Sequence, residues 1–441
     1  MPLPKRLSSP SFWHYGSLVA GLAVILLLQR GQWFFFDEWA FLKIKGPGLL
    51  EPHVGHWSTS PMLVFEGLRG TVGLHNYFPY AVLVTLIHLA IAHLVWRLTL
   101  RSGASGWIAT TATTVFVFLG AGAENILWAF QIGFLGAIAL GLLAFWLATA
   151  EEVSTRRFVA IVLVAAFSLT WAGTALPLVL ATAFVLFRRK EWRRVAVLLG
   201  TTGGIYLTWY LIFALGSPSN PDTGGFAPHK LFVEMPVFLG VMAILGFGKV
   251  FPIVGLGAVL LAATAVWLFR LFRSRNYARG LDPALALGAA AVVFAGLAAF
   301  SRADFSLGAG RSSRYIYTLV AFLLPLLSVA LSRAAKRWRR GLPVASAALV
   351  ALACYQGGAL VQVAHQQSVT EQGSRGQLSA ALVLYVNDPG ELNIRAQPEG
   401  AWAPDMTMAD LIDLYRAGWI DIGPYTPDEM RRATAALVTT N

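Results

Sequence analysis

Runs of roughly 20 apolar residues, the length a helix needs to cross a hydrocarbon core of about 30 Å, recur along most of this chain. They fall at 13–30, 78–98, 106–122, 125–148, 157–171, 174–188, 194–215, 251–272, 283–301, 314–332 and 342–361. Lipid offers the backbone no water to bond, so segments of this length must be helices that satisfy their own amides. The predicted fold class is therefore all-α, a polytopic membrane helical bundle of about eleven transmembrane helices. Composition points the same way: 56% of residues are hydrophobic and 13% charged, where soluble proteins carry about 25% charged. The first run reads as a span and not as a cleavable signal, since Trp33-Phe34-Phe35-Phe36 follows it in place of a small-residue cleavage site.

The connections alternate in character, and the alternation predicts orientation. One set is dense in Arg and Lys, at Lys5/Arg6, Arg97/Arg101, Arg156/Arg157, Arg188 through Arg194, Arg270 through Arg279 and Arg333 through Arg340. By the positive-inside rule these face the cytoplasm. Most of the net charge of +12 is thereby topological, and nucleic acid is not an expected partner. The chain is expected in the plasma membrane, multi-pass, with a cytoplasmic N-terminal tail (1–12), a transmembrane domain (13–361) holding a long first outer loop (31–77), and an extracytoplasmic C-terminus. Counting the apolar segment 231–247 as a span would export the basic cluster near 270, so it is read as a re-entrant or interfacial helix. Residues 157–188 are read as two short helices turning at Trp171 to Pro177.

Beyond 361 the chain becomes polar, and 362–441 reads as a small helical extracytoplasmic domain. Thr407 and the capping-box sequence Thr426-Pro427-Asp428-Glu429 mark its helix starts. No GxGxxG or GxxxxGK[ST] motif is present, which leaves a nucleotide-driven pump or a nucleotide-sugar enzyme without a visible site. The single cysteine, Cys354, excludes a disulfide framework and a Cys-rich metal site, and its apolar surroundings predict a buried thiol.

The outward connections carry the residues capable of chemistry. Asp37 and Glu38 follow the first span between aromatics, where partial desolvation raises a carboxylate pKa and makes a better base; solvated loop acids beside an aromatic belt are the alternative. His53, His56 and Trp57 lie further along the same loop, either lining a polar pocket or solvated at the interface, with a zinc site only weakly signalled. Glu124 sits between two apolar helices, an expensive position for an ionisable group unless it faces a cavity or bonds a neighbouring helix. Asn125, Trp128 and Gln131 follow at three-residue spacing and are expected to share a face. Arg302, Arg311 and Arg314, the last beside Tyr315 at a helix start, are outward despite the positive-inside trend. Arginine forks suit phosphate oxygens and a helix N-terminus adds to the field, the alternative being headgroup or salt-bridge anchoring, for instance Arg302 with Asp304. His88 and His93, inside the second span, are expected as helix contacts.

Together, Asp37-Glu38-Trp39 in a long first outer loop, His56-Trp57, Glu124-Asn125 after the third span and Ser313-Arg314-Tyr315 resemble the GT-C superfamily of membrane glycosyltransferases, over about 13–332. That superfamily includes protein O-mannosyltransferases, lipid A aminoarabinose transferases and oligosaccharyltransferase catalytic subunits. The resemblance implies a polyprenyl-phosphate sugar donor in the membrane and a glycan, lipid or protein acceptor outside. It implies catalytic roles for Asp37, Glu38 and Glu124, with Asp37 as general base of an inverting transfer. It further implies donor-phosphate contacts from Arg314, Tyr315, Arg311 and Arg302, and substrate contacts from His53, His56, Trp57, Asn125, Trp128 and Gln131. Glu124-Asn125 stands where oligosaccharyltransferases have Asp-x-Asp, so no cofactor is expected and a divalent metal, though possible, is not favoured. Two other readings remain: a transporter or flippase of a lipid-linked saccharide, which predicts ionisable residues near mid-span and repeated halves, and a polysaccharide polymerase or ligase.

Overall fold

The computed structural model describes residues 9–43, 48–219, 226–274, 279–304, 306–390 and 392–438. Lys5, Arg6, Arg275 and the connector at 220–225 lie outside the described residues. The helices are α1 (Pro10–Leu28), α2 (Glu38–Leu42), α3 (Thr59–Val72), α4 (Phe78–Arg101), α5 (Gly106–Val117), α6 (Ala123–Leu127), α7 (Ile132–Ala148), α8 (Thr155–Leu169), α9 (Leu176–Arg188) and α10 (Trp192–Trp209). After these come α11 (Met235–Val241), α12 (Leu256–Arg273), α13 (Asp282–Arg302), α14 (Ser313–Ala335), α15 (Gly341–Asn387), α16 (Met408–Arg416) and α17 (Pro427–Leu437). The one sheet among the described residues is a two-residue hairpin, β1 (Pro52–His53) with β2 (His56–Trp57).

Each predicted span is matched by a helix. Among the described residues nine helices are long and apolar enough to cross a membrane, or ten with the bent pair of α5 and Gly120–Leu127. The two sets differ in membership: α8 and α9, too short to cross alone and turning at Gly173 to Ala175, drop out, and the run Lys230–Val250, not among the eleven, is long and apolar enough to be counted. The main core is made by α1, α4, α5, α7, α13 and α14 around buried Ile25, Val84, Phe116, Leu135, Leu287 and Phe322. Alanines 284, 286, 290 and 291 of α13 are buried there, as expected where helices in lipid must approach closely to gain packing energy. A second core joins α7 to α8, α9 and α10.

The basic residues gather at one end of the bundle. Arg101 bonds the Trp146 carbonyl and Thr149 at the end of α7, and Arg188 pairs with Asp282 at the start of α13. The opposite end of α13, some 30 Å away at 1.5 Å per residue, carries Arg302 against the β1–β2 hairpin. The helical run Lys230–Val250 that contains α11 is long enough to cross a membrane, yet both its ends are fastened to one connection: Lys230 to Asp304 at 2.6 Å and Lys249 to the Arg311 carbonyl at 3.0 Å.

Helix α15 runs on through the change of composition at 361, 47 residues in all, about 70 Å. Its distal half is held as a helix by packing, with Glu371, Ser374, Leu378, Ala381 and Leu382 buried against the first connection and against α16 and α17. Cys354 is exposed on α15, not buried, since an apolar sequence run in a membrane helix says nothing about which face meets protein. The capping signals are realised: Thr407 with Asp410, and Thr426 with Glu429, form reciprocal capping boxes at α16 and α17.

Candidate active site

The break between α5 and α7 is what places an acid at the site end. After Val117 the chain turns at Gly120, runs one short helix, α6, and at Trp128 becomes extended before α7 begins. Broken backbone at membrane depth needs partners, and two buried glutamines supply them. Gln29 Nε2 donates to the carbonyls of Ile126 and Leu127, at 3.0 and 3.3 Å. Gln356 on α15 accepts from Ala121 N at 2.8 Å and donates to the carbonyls of Lys249 and Val250 at 3.0 and 2.9 Å. His88 and Tyr317 close the other side, with His88 bonded both to the Tyr317 hydroxyl and to the Val117 carbonyl.

Held this way, Glu124 faces the start of α14. Its Oε2 accepts from Arg314 N at 3.3 Å and from the Ser312 hydroxyl at 3.4 Å, while Ser313 Oγ accepts from Glu124 N. A carboxylate on the free N–H groups of a helix start is electrostatically favourable. Through these bonds Glu124 joins the neighbouring helix and fixes where the Arg314 backbone stands.

Asp37 and Glu38, adjacent in sequence, part company. Glu38 is fully buried and accepts from Phe35 N at 2.9 Å, Tyr77 Oη at 2.9 Å and Phe130 N at 3.2 Å. Burial drives its pKa well up, with the donors opposing. It clamps the first connection to the base of α4 and to the α6–α7 turn. Asp37 is half-buried and open. Burial pushes its pKa up to about 6, Arg314 and Arg302 pull it down, and Asp405 pushes it further up. Phe36 before it is left-handed, φ 53°, held by a bond from its N–H to the Trp402 carbonyl.

The β1–β2 hairpin adds the histidines. Val54 and Gly55 turn it with φ of 48° and 81°, a conformation unfavourable for a β-branched residue, and Arg302 donates to the Val54 carbonyl at 3.2 Å. His53 packs against Phe41 and Phe130, with Nε2 buried and unpartnered. His56 packs against Phe134; burial, then Arg302 and Arg314, lower its pKa to about 3, so it acts as a neutral ring. Asp37, His53, His56, Arg302, Arg314 and Asp405 thus share one electrostatic neighbourhood.

Other expected residues fall elsewhere. Trp57 is stacked on Trp209 at 5.1 Å and 3°, tying the hairpin to α10. Tyr315 is buried against Phe238 and Phe294. Arg311 is exposed and lends only its carbonyl, to Lys249. Asp304 pairs with Lys230. Asn125, Trp128 and Gln131 do not share a helical face, because the helix breaks at Trp128. All three are buried, with side-chain polar atoms lacking a hydrogen-bond partner among the described residues, which is uncommon in a folded interior. His93 contacts His14 at 3.2 Å. Three contributors, Asp405, Gln29 and Gln356, escape sequence reasoning; the signal for the glutamines was an amide inside or at the end of an apolar run. No three His, Cys, Asp or Glu side chains group as metal ligands among the described residues.

No family model matches this chain, and no curated protein does. Solved structures do, among them ArnT from Cupriavidus metallidurans in the apo state and the same protein bound to undecaprenyl phosphate. Each has a TM-score of 0.54 and 15% identity, over 96% of this chain and 88% of that one. At that identity the likeness is one of architecture, and the chain has an ArnT-like fold with the long apolar helices of a multi-pass membrane protein.

Proposed function

We propose that the chain is a glycosyltransferase that moves a sugar from a polyprenyl-phosphate donor to an acceptor hydroxyl at the extracytoplasmic face of the plasma membrane. The observation that supports this reading is a half-buried carboxyl of raised pKa, Asp37, within the electrostatic reach of two arginines, Arg314 and Arg302. A base is most effective when its pKa lies near the working pH, and about 6 satisfies that. The fold shared with a protein solved with undecaprenyl phosphate supports the donor class.

In the proposed reaction an Asp37 carboxylate oxygen takes the proton of the acceptor hydroxyl as its oxygen attacks the anomeric carbon. The bond from that carbon to the lipid phosphate breaks, the electron pair leaves with the phosphate, and Arg314 meets the charge that develops there. A single displacement inverts the anomeric centre. Glu124 positions Arg314 through the start of α14, Glu38 holds the Asp37 loop, and neutral His56 supplies a hydrogen bond to the sugar or acceptor.

The test uses purified protein and labelled undecaprenyl-phosphate sugars. Asp37→Asn and Arg314→Ala should each lose about 10²–10³ in turnover, the usual cost of one transition-state contact, while folding normally. Transfer by Asp37→Asn at the wild-type rate would remove Asp37 as the base.

A further inference from the structure

Helix α12 stands off the bundle. It is exposed along nearly all its length, and between it, the end of the run Lys230–Val250, α5, α14 and α15 a groove of about 410 Å³ runs toward the basic end. That volume is in the range of ligand pockets, roughly 300–1,000 Å³, and too large for a packing defect. Its walls are apolar, among them Val115, Leu260, Val320, Leu324 and Leu331. Thr264 on α12 spends its hydroxyl on the Leu260 carbonyl, and the charged groups sit toward one end. Arg333, laid over the Trp267 ring at 5.5 Å, and Arg337 close the rim. Five residues before Arg333, about 7 Å along the helix, Ser328 lines the groove with a buried hydroxyl that has no protein partner. On α14 the lining runs from Val320 to Ala334, about 21 Å, with Arg337 just beyond the helix end.

We infer that this groove is a binding site for one anionic glycerophospholipid of the surrounding membrane, its phosphate on Arg333 and Arg337 and one acyl chain lying along α14. Charge selects the headgroup, since two guanidinium groups and no acid line the rim. The hydroxyl selects the class: a glycerol ester carbonyl lies just below the phosphate, where Ser328 O–H can donate to it, and an isoprenoid phosphate has no such group. The charged end also lies opposite to Asp37 and Arg314, so a polyprenyl phosphate engaged at the active site would approach with its phosphate at the wrong end. A bound lipid here would brace α12 against α14.

The test is direct binding to the full-length protein, purified in neutral detergent, by native mass spectrometry and thermal unfolding with phosphatidylglycerol, phosphatidylcholine and undecaprenyl phosphate as probes. Phosphatidylglycerol should bind at one site at least tenfold more tightly than phosphatidylcholine and raise the melting midpoint. The double variant Arg333→Gln/Arg337→Gln should lose that preference, and Arg333→Lys/Arg337→Lys should keep most of it. Ala263→Trp, on the exposed flank of α12 that lines the groove, should block binding without touching a charge. Equal binding of the two phospholipids, retention in both the Gln and Trp variants, or displacement of phosphatidylglycerol by equimolar undecaprenyl phosphate would each overturn the assignment.

Discussion

Asp37 is set between opposing influences, burial and Asp405 raising its pKa and the two arginines lowering it, with the balance near 6. A base must be deprotonated to act, so activity should fall as pH drops through about 6 and level off above it. Asp405→Asn removes a charge that raises the Asp37 pKa, and the acid limb of the rate profile should move to lower pH; an unmoved limb would take Asp405 out of the neighbourhood. Glu38 makes the contrasting prediction. Glu38→Ala strands three donors in a dry interior, at about 1–3 kcal/mol each, and should lower the unfolding midpoint strongly, whereas Glu38→Gln should fold and turn over. Sequence could single out this pair of acids, because carboxyls beside an apolar span are costly wherever they point. It could not divide their roles, since that depends on Tyr77 and Phe130, 39 and 92 residues away. Asp405 carries no such mark, being an acid in a polar segment.

At the scale of elements, the broken helix α5–α6–α7 is the device that presents Glu124, and Gln356 is its main support. Gln356→Leu deletes three hydrogen bonds and leaves backbone groups bare; a loss of roughly 3 kcal/mol or more is expected, read as a lower melting midpoint together with weakened Arg314-dependent activity. Gly120 allows the close crossing of α15: a Cβ there would stand 2.5 Å from the Gln356 carbonyl and 2.6 Å from Leu360 N. Gly120→Ala should therefore destabilise by about 1–3 kcal/mol, and an unchanged midpoint would mean that α15 can shift away. Apolar windows reveal the spans well because length and hydropathy are local properties. The break at Trp128 is hidden from them, since its cause is a pair of distant amides, and the helical spacing of Asn125, Trp128 and Gln131 consequently misleads.

Across the whole molecule, the C-terminal segment and the first connection form one body at the site end. Trp33, Phe34, Met62 and Phe65 pack with Leu378, Met408, Leu411 and Leu437, and Glu371 accepts from Trp33 N at 2.7 Å. Hydropathy suggests a separate polar domain after 361; continuous α15 and this shared core bind it to the site. The run Lys230–Val250 gives a test of topology. In a Cys354→Ala background, Phe226→Cys and Val254→Cys, exposed just outside its two ends, should react with an impermeant thiol reagent from the same side of sealed vesicles. Labelling from opposite sides would make it a crossing helix.

The central claim, a lipid phosphate met by Arg314 beside the base Asp37, is tested most directly by titrating undecaprenyl phosphate onto purified wild-type, Arg314→Ala and Asp37→Asn proteins. The account predicts that Arg314→Ala weakens binding at least tenfold while Asp37→Asn binds as the wild type does and fails only in transfer. Undiminished binding by Arg314→Ala would contradict it.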